Sequence, residues 1–145
     1  MKGRILVPML AGIAVLALLL TVRQAQAGID PVLAVNHIFT ALNSGDVETA
    51  VASFAEDATA ENLVRKETYS GVSEIRQMLQ RMQRESRRFD IVKIQMDSDT
   101  ITAAVEVSDG GFVWGTETIE AVVKGGRLQT FTVKAFRLEL WRIRR

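Results

Sequence analysis

Two glutamates between Phe112 and Val123 are candidates for acid–base chemistry. A carboxyl group in a pocket that excludes water can donate or accept a proton during a reaction. Apolar and polar residues alternate in this stretch, which predicts a β-strand with Glu117 and Glu120 on opposite faces. Glu120 shares its face with Trp114, and that face is a candidate pocket wall. If that face is instead the solvated side of the sheet, Glu117 on the opposite face is the candidate for acid–base chemistry.

The other residue types narrow the chemistry further. His37 is the single histidine, which excludes a three-histidine metal site, and a catalytic dyad would have to pair it with a carboxylate. The sequence has no cysteine, so it has no disulfide and no thiolate metal site. No P-loop, glycine-rich dinucleotide turn, nucleophile elbow or zinc motif is present. We therefore expect no metal and no cofactor.

Helical periodicity dominates the part of the chain that precedes these glutamates. Apolar residues recur every three or four positions from Pro31 to Leu42, behind an Asp30 that can cap the helix. A Gly turn then leads to Asp46, which predicts the start of a second helix whose apolar side ends at Phe54. Two short helices are expected to meet at this turn.

A third helix is predicted after a short strand. Residues Ala58 to Val64 are typical of the strand, and the helix begins at Gly71 or Ser73 and continues past Met82. Its apolar residues lie on one side and its arginines on the other. The chain therefore contains three predicted helices before its long strands.

Period-two alternation from Phe89 onwards predicts two β-hairpins. Their turns fall at residues 97–99 and 124–126, which contain Asp-Ser-Asp and Lys-Gly-Gly. The alternation changes phase near Ala135 and Phe136, which predicts a β-bulge that bends the sheet. Helices followed by long antiparallel strands indicate an α+β domain, with the helices packed on one face of a curved sheet.

The first 27 residues are expected to direct export. A basic start with Lys2 and Arg4 precedes an apolar stretch at 5–22, and Ala25 and Ala27 match a signal-peptidase site. The alternative is an uncleaved membrane anchor, since 18 residues would span roughly 27 Å as a helix. Either way, residues 1–27 are a signal peptide or an anchor, and residues 28–145 form an extracytoplasmic domain, secreted or tethered to the membrane.

The charge of that domain excludes one class of partner. Without Lys2, Arg4 and Arg23 the chain has 15 basic and 17 acidic residues, a net charge of −2. This balance gives no basis for nucleic-acid binding. The basic residues gather in the third helix and the C-terminal tail, where they form a solvated surface or contact an anionic membrane or acidic partner.

Three segments carry a family resemblance through their order and spacing. They are Phe39-Thr40-Ala41-Leu42-Asn43-Ser44-Gly45-Asp46, Val51-Ala52-Ser53-Phe54-Ala55-Glu56-Asp57-Ala58-Thr59, and Ser70-Gly71 followed by Ile75. They resemble the helix-turn-helix, first-strand entry and third-helix start of the nuclear transport factor 2-like superfamily, in its SnoaL-like and steroid isomerase-like branch. The resemblance implies a cone-shaped fold with three N-terminal helices on a curved antiparallel sheet. It also implies a pocket for a small apolar ligand and a homodimer formed through the sheet.

The same resemblance tests the steroid isomerase chemistry residue by residue. Isomerases of this family use an Asp base, a Tyr on the first helix and a protonated Asp on a late strand. The base position falls on Asn62 and the Tyr position on Ile38, while the late acid falls near Glu120. Asn62 cannot take a proton and Ile38 cannot donate one. Glu61 is a poor substitute for the base because neighbouring strand residues point to opposite faces.

Two functional hypotheses follow. The first is an extracytoplasmic small-ligand-binding or protein-interaction domain without the isomerase catalytic set. The second is a SnoaL-like isomerase, cyclase, dehydratase or hydrolase that acts on a small apolar substrate, with Glu120 or Glu117 as its acid and Asn62 and His37 as polar pocket groups. The residues expected to line the pocket are Ile38, Phe54, Asn62, Phe112, Trp114 and Glu120.

Overall fold

The computed structural model describes residues 30–85 and 87–139. The elements in chain order are α1 (Pro31–Asn43), α2 (Val47–Ala52), β1 (Phe54–Asn62), β2 (Glu67–Ser70), α3 (Gly71–Arg84), β3 (Arg88–Asp97), β4 (Thr100–Asp109), β5 (Phe112–Lys124) and β6 (Arg127–Leu138). The predicted signal peptide or anchor at residues 1–27 lies outside the described residues. None of the helices described within 30–139 is long and apolar enough to cross a membrane.

The first two helices begin where their caps predict. The Asp30 carboxylate accepts a hydrogen bond from the Val32 backbone N–H at 2.9 Å, and Asp46 accepts one from Thr49 at 3.0 Å. The second helix is shorter than predicted, because it ends at Ala52 and Phe54 already belongs to β1. Phe54 is therefore the first buried residue of a strand and does not extend the apolar side of a helix.

The third helix, α3, follows β1 and β2, so two strands lie before it instead of one. It packs against α2, β1 and β2 through a side that buries Ile75, Met78 and Leu79. Arg81 and Arg84 lie in its last turn, where positive charge interacts favourably with the helix dipole. The position of α3 decides which part of the sheet is covered.

All six strands form one sheet, in the order β2-β1-β6-β5-β4-β3. The two predicted hairpins are confirmed as the antiparallel pairs β3–β4 and β5–β6. The sheet is not antiparallel throughout, because β1 and β6 are parallel. Helices on a curved six-stranded sheet make the domain α+β, as the element order predicts.

Two breaks in register shape the sheet near its uncovered end. On β5, Val113 and Gly115 pair with consecutive β4 residues, so Trp114 is an extra residue between them. On β6, Lys134 is the extra residue, one position before the predicted bulge. Extra residues of this kind bend a strand and redirect its side chains.

The core lies between the helices and the covered part of the sheet. The ring centroid of Phe131 lies 6.0 Å from that of Phe54 and 6.3 Å from that of Phe39. Ile38 on α1 and Leu128 on β6 are fully buried in the same cluster. These contacts account for the alternation of apolar residues that predicts the strands.

Candidate functional site

A cleft opens beside α3, where the ends of β5 and β6 are not covered by a helix. Its inner and outer parts have cavity volumes of about 30 and 210 Å³, and they share Asn62, Arg65, Arg87, Glu117 and Val133. We call this space the Glu117 cleft. Its apolar walls are formed by Met78, Met82, Phe89, Phe131 and Val133 in the inner part and by Val64, Trp114, Phe136 and Leu138 in the outer part.

Glu117 is the one carboxyl-bearing residue among those that line both parts of the cleft, and its side chain is partly buried. It lies on β5 opposite Val105 and Phe136. Its Oε2 atom is buried and has no hydrogen-bond partner among the described residues. Burial raises the pKa of Glu117 above its ordinary value, with a smaller contribution from Glu85, while Arg87 and Arg65 act in the opposite direction. The carboxyl group therefore keeps its proton to a higher pH than an exposed glutamate.

Two arginines near Glu117 share a different carboxylate. Glu85, just after α3, lies 3.4 Å from Arg65 Nη1 and 3.3 Å from Arg87 Nε. Arg65 belongs to the turn between β1 and β2, and Arg87 lies immediately before β3. Glu85 thus joins the two segments that border the cleft, and both ion pairs remain in contact with water.

The inner wall also contains a hydrogen-bonded group of Glu67, Tyr69 and Arg81. Arg81 contacts the Glu67 carboxylate at 2.7 and 3.2 Å, and the Tyr69 hydroxyl donates to Glu67 at 2.8 Å. Arg81 also donates to the Tyr69 hydroxyl. Hydrogen bonds from Arg81, then from Tyr69, lower the pKa of Glu67, and burial raises the pKa of Tyr69. Glu67 therefore stays ionised, and among the side chains that the structure describes only Glu117 has a buried oxygen without a hydrogen-bond partner.

Comparison with known proteins identifies the family. The SnoaL-like domain model matches residues 35–143, most of the chain. The chain belongs to the SnoaL-like domain family. The predicted resemblance to the nuclear transport factor 2-like superfamily is thereby confirmed. A comparison with the curated proteins gives no match.

Solved structures share the fold at low sequence identity. An NTF2-like protein of unknown function from Cytophaga hutchinsonii has a TM-score of 0.64 at 14% identity, over 75% of this chain and 91% of that one. A putative polyketide cyclase from Sinorhizobium meliloti has 0.62 at 23%, over 70% and 93%. An LEH-like epoxide hydrolase from M. tuberculosis has 0.58 at 21%, over 70% and 79%. These similarities establish the fold of the SnoaL-like domain. They do not identify its reaction, which has to be inferred from the residues of the cleft.

Three residues considered from the sequence line the cleft of this SnoaL-like domain. They are Asn62, Trp114 and Glu117. The Asn62 Oδ1 atom accepts a hydrogen bond from the Arg65 backbone N–H at 3.0 Å, which fixes the amide at the end of β1. The extra residue at Trp114 explains how Trp114 and Glu117 line one cleft although they are three positions apart on a strand.

Glu120 was predicted to line the pocket, but it does not face the cleft. It forms an ion pair with Lys134 at 3.0 Å on the other side of the sheet. The prediction assumed unbroken alternation from Phe112 to Glu120, and the extra residue at Trp114 interrupts it. Glu117, the alternative drawn from the sequence, occupies the cleft face instead.

Three apolar candidates also lie elsewhere. Ile38 and Phe54 are in the core, where helix and sheet cover them completely. Phe112 is 61% exposed at the start of β5 and is not part of the cleft lining. A residue that aligns with a pocket position of the family therefore does not necessarily line a cavity in this chain.

His37 lies at a separate surface. Its Nδ1 atom is 3.4 Å from the Ser53 hydroxyl, and both residues border a shallow depression that shares no lining residue with the Glu117 cleft. Glu61, the rejected substitute for a base, is exposed. Neither residue contributes to the cleft.

The sequence reasoning missed the Glu67, Tyr69 and Arg81 group. Glu67 and Tyr69 are two positions apart on β2, so they share one face of that strand. This spacing was a usable signal, but the strand is only four residues long. The partner on α3 follows from the packing of helix on strand, which periodicity alone does not give.

Proposed function

We propose that this SnoaL-like domain is an enzyme that moves a proton to or from a small, largely apolar substrate, with Glu117 as the acid–base group. One observation carries the proposal. A carboxyl oxygen is buried without a hydrogen-bond partner among the described residues, at a largely apolar cleft whose outer part has a cavity volume of about 210 Å³. Buried carboxyl groups of raised pKa in clefts are typical acid–base catalysts.

The environment of Glu117 suits proton transfer in both directions. A raised pKa brings its protonated and ionised forms closer in population near neutral pH, which is where a general acid or base works best. Asn62 cannot accept a proton, but its amide N–H can donate a hydrogen bond to a substrate oxygen. Arg65 and Arg87 supply positive charge where negative charge develops.

The reaction types named for two structural neighbours are compatible with this assignment. Cyclisation of a polyketide and hydrolysis of an epoxide both involve proton transfer at carbon or oxygen. The sequence identities of 23% and 21% support a common fold. We therefore extend to this chain only the reaction class, acid–base chemistry on a small organic molecule.

A second candidate is a binding domain without turnover. It is favoured by Asn62 and Ile38, which stand where the steroid isomerases of the family need Asp and Tyr. The extracytoplasmic location, membrane attachment through residues 5–22 and a homodimer formed through the sheet remain predictions from the sequence and its resemblance. They apply equally to both candidates.

A neutral carbon acid separates the two candidates. Nitrobenzisoxazole loses a proton from carbon to a base while its N–O bond breaks, which produces a coloured cyanonitrophenolate. We expect the wild-type protein to accelerate this reaction, with a rate that rises with pH as Glu117 ionises. Because an amide cannot accept the proton, we expect Glu117→Gln to lower the rate about 100-fold or more.

The matched control is Glu120→Gln, which changes a glutamate on the same strand outside the cleft. It should keep the wild-type rate. Styrene oxide hydrolysis, followed by chromatography, extends the test to protonation of an oxygen. If neither reaction depends on Glu117, the enzyme proposal is wrong and the binding domain is preferred.

A further inference from the structure

The charged side chains of the Glu117 cleft are unevenly matched. Among the described lining residues, the positive groups are Arg65, Arg81 and Arg87, and the negative groups are Glu67, Glu85 and Glu117. Arg81 is held by Glu67 through two hydrogen bonds, so that pair is internally balanced. Arg65 and Arg87 have only Glu85 between them as an ion-pair partner among these lining residues.

Glu117 does not complete this balance while it is protonated. Its Oε2 atom makes no hydrogen bond to either arginine, and its burial favours the neutral acid. With Glu117 neutral, the lining residues carry one positive charge in excess. That charge lies with Arg65 and Arg87, at the part of the lining that the inner and outer cleft share.

The arginines can turn towards a ligand at small cost. The side chains of Arg65 and Arg87 are 38% and 36% exposed, and their contacts with Glu85 are longer than the closest Arg81–Glu67 contact. Water-exposed ion pairs of this length are weak. A guanidinium group also matches the two oxygens of a carboxylate better than a single amine does.

Apolar side chains lie directly beside these charges. Trp114 and Leu138 are 51% and 54% exposed in the outer cleft, and Phe136, which is 37% exposed, belongs to the same lining. Exposed apolar groups at the edge of a cleft favour an apolar ligand that covers them. The complementary molecule thus has an apolar body and one negative group.

We propose that the Glu117 cleft binds a monoanionic, largely apolar organic acid, with its carboxylate held by Arg65 and Arg87 and its body packed on Trp114, Phe136 and Leu138. This inference deepens the proposed function by naming the substrate class, and it rests on that function only for the statement that the ligand is converted. The binding itself requires no turnover.

Binding of such an anion depends on the protonation of Glu117. The charged and titratable groups around it are Arg65 in the β1–β2 turn, Glu67 and Tyr69 on β2, Arg81 on α3, and Glu85 and Arg87 after α3. Of these groups, Arg87 and Arg65 lower the pKa of Glu117 and Glu85 raises it. An ionised Glu117 repels the ligand and attracts its arginines, so affinity falls as pH rises through the titration of Glu117.

Naphthoate and naphthamide form a matched pair of probes that differ chiefly in charge. We would measure the binding of both probes to the full-length protein by titration calorimetry. The proteins compared are the wild type, Arg65→Gln, Arg87→Gln and Arg76→Gln. Arg76 is the control, because it pairs with Glu48 and is not a lining residue of the cleft. We expect each cleft variant to weaken naphthoate binding about tenfold and to leave naphthamide unchanged.

Two further variants make the outcome decisive. Arg87→Lys keeps the charge and should recover part of the affinity, which separates charge from loss of fold. Glu117→Gln should remove the pH dependence of naphthoate binding. The proposal is overturned if naphthamide binds as tightly as naphthoate, or if the cleft variants match Arg76→Gln. Intact naphthoate selectivity in a wild-type protein that shows no Glu117-dependent turnover of nitrobenzisoxazole or styrene oxide would instead contradict the enzyme proposal alone.

Discussion

The covered and the open parts of the sheet are built from the same strands, and they differ in what lies above them. Leu128 and Phe131 on β6 are buried beneath the helices, whereas Phe136 and Leu138 further along the strand are exposed. Alternating apolar residues therefore produce a core where helices cover the strand and a cleft where they do not. The contrast shows that helix placement decides where a pocket forms.

The two glutamates of β5 also differ in how far their surroundings cover them. Glu120 pairs with Lys134 in contact with water, and Glu117 has a buried oxygen without a partner among the described residues. They are three positions apart on one strand. Their environments, and not their residue type, separate a surface charge from a candidate catalyst.

Removing an aromatic ring from the covered part should have the largest effect. We expect Phe54→Ala to lower the free energy of unfolding by about 3–5 kcal/mol, because Phe54 is fully buried against Phe131. Leu138→Ala in the open part should change it by less than about 0.5 kcal/mol. Urea unfolding followed by circular dichroism measures both values. Equal losses in the two variants would remove the distinction between core and cleft.

Replacing Glu117 should have an intermediate effect that depends on pH. In the unfolded chain its pKa returns to the ordinary value near 4.5, while burial raises it in the fold. The fold is thus unaffected by this group below the unfolded pKa, and it is destabilised as pH rises through the folded pKa. We expect Glu117→Gln to match wild type at low pH and to be more stable than wild type above the folded pKa, because only the wild type then has a penalised charge.

The comparison for this prediction is unfolding of both proteins in urea across that pH range. A stability difference that is constant with pH, or a variant that is less stable at high pH, would show that ionised Glu117 is not penalised by the fold.

Replacing Glu120 should have the smallest effect. Its ion pair with Lys134 is partly exposed, and such pairs contribute about 0–1 kcal/mol. We expect Glu120→Gln to change the free energy of unfolding by less than about 0.5 kcal/mol, with a loss that diminishes in high salt. A cost comparable to that of Phe54→Ala would mean that the two faces of β5 are not as different as their contacts indicate.

Much of the fold was predictable because local chemistry determines it. Asp30 and Asp46 can cap helices whatever the rest of the chain does, and the turns at residues 97–99 and 124–126 separate clear alternating runs. The end of α2 was not predictable in this way. Phe54 continues the helical spacing of α2, but pairing with β6 and packing on Phe131 place it in a strand.

The candidate site was predictable only in part, for a physical reason. The alternation of residues along β5 identified both glutamates as candidates. It did not show which of them faces the cleft, because the extra residue at Trp114 shifts the alternation between Phe112 and Glu117. The proximity of Arg65 and Arg87 to Glu117 depends on where α3 lies on the sheet. This proximity cannot be predicted from the spacing of the three residues along the chain.

The central claim is that the cleft keeps Glu117 as a buried acid of raised pKa. Carbon NMR of the side-chain carboxyl groups tests it most directly, with Glu117→Gln used to assign the resonance and Glu120→Gln as a control for the strand. The account predicts a titration midpoint for Glu117 above the ordinary value of 4.5, and a further rise when naphthoate binds. A midpoint at or below the ordinary value would contradict it.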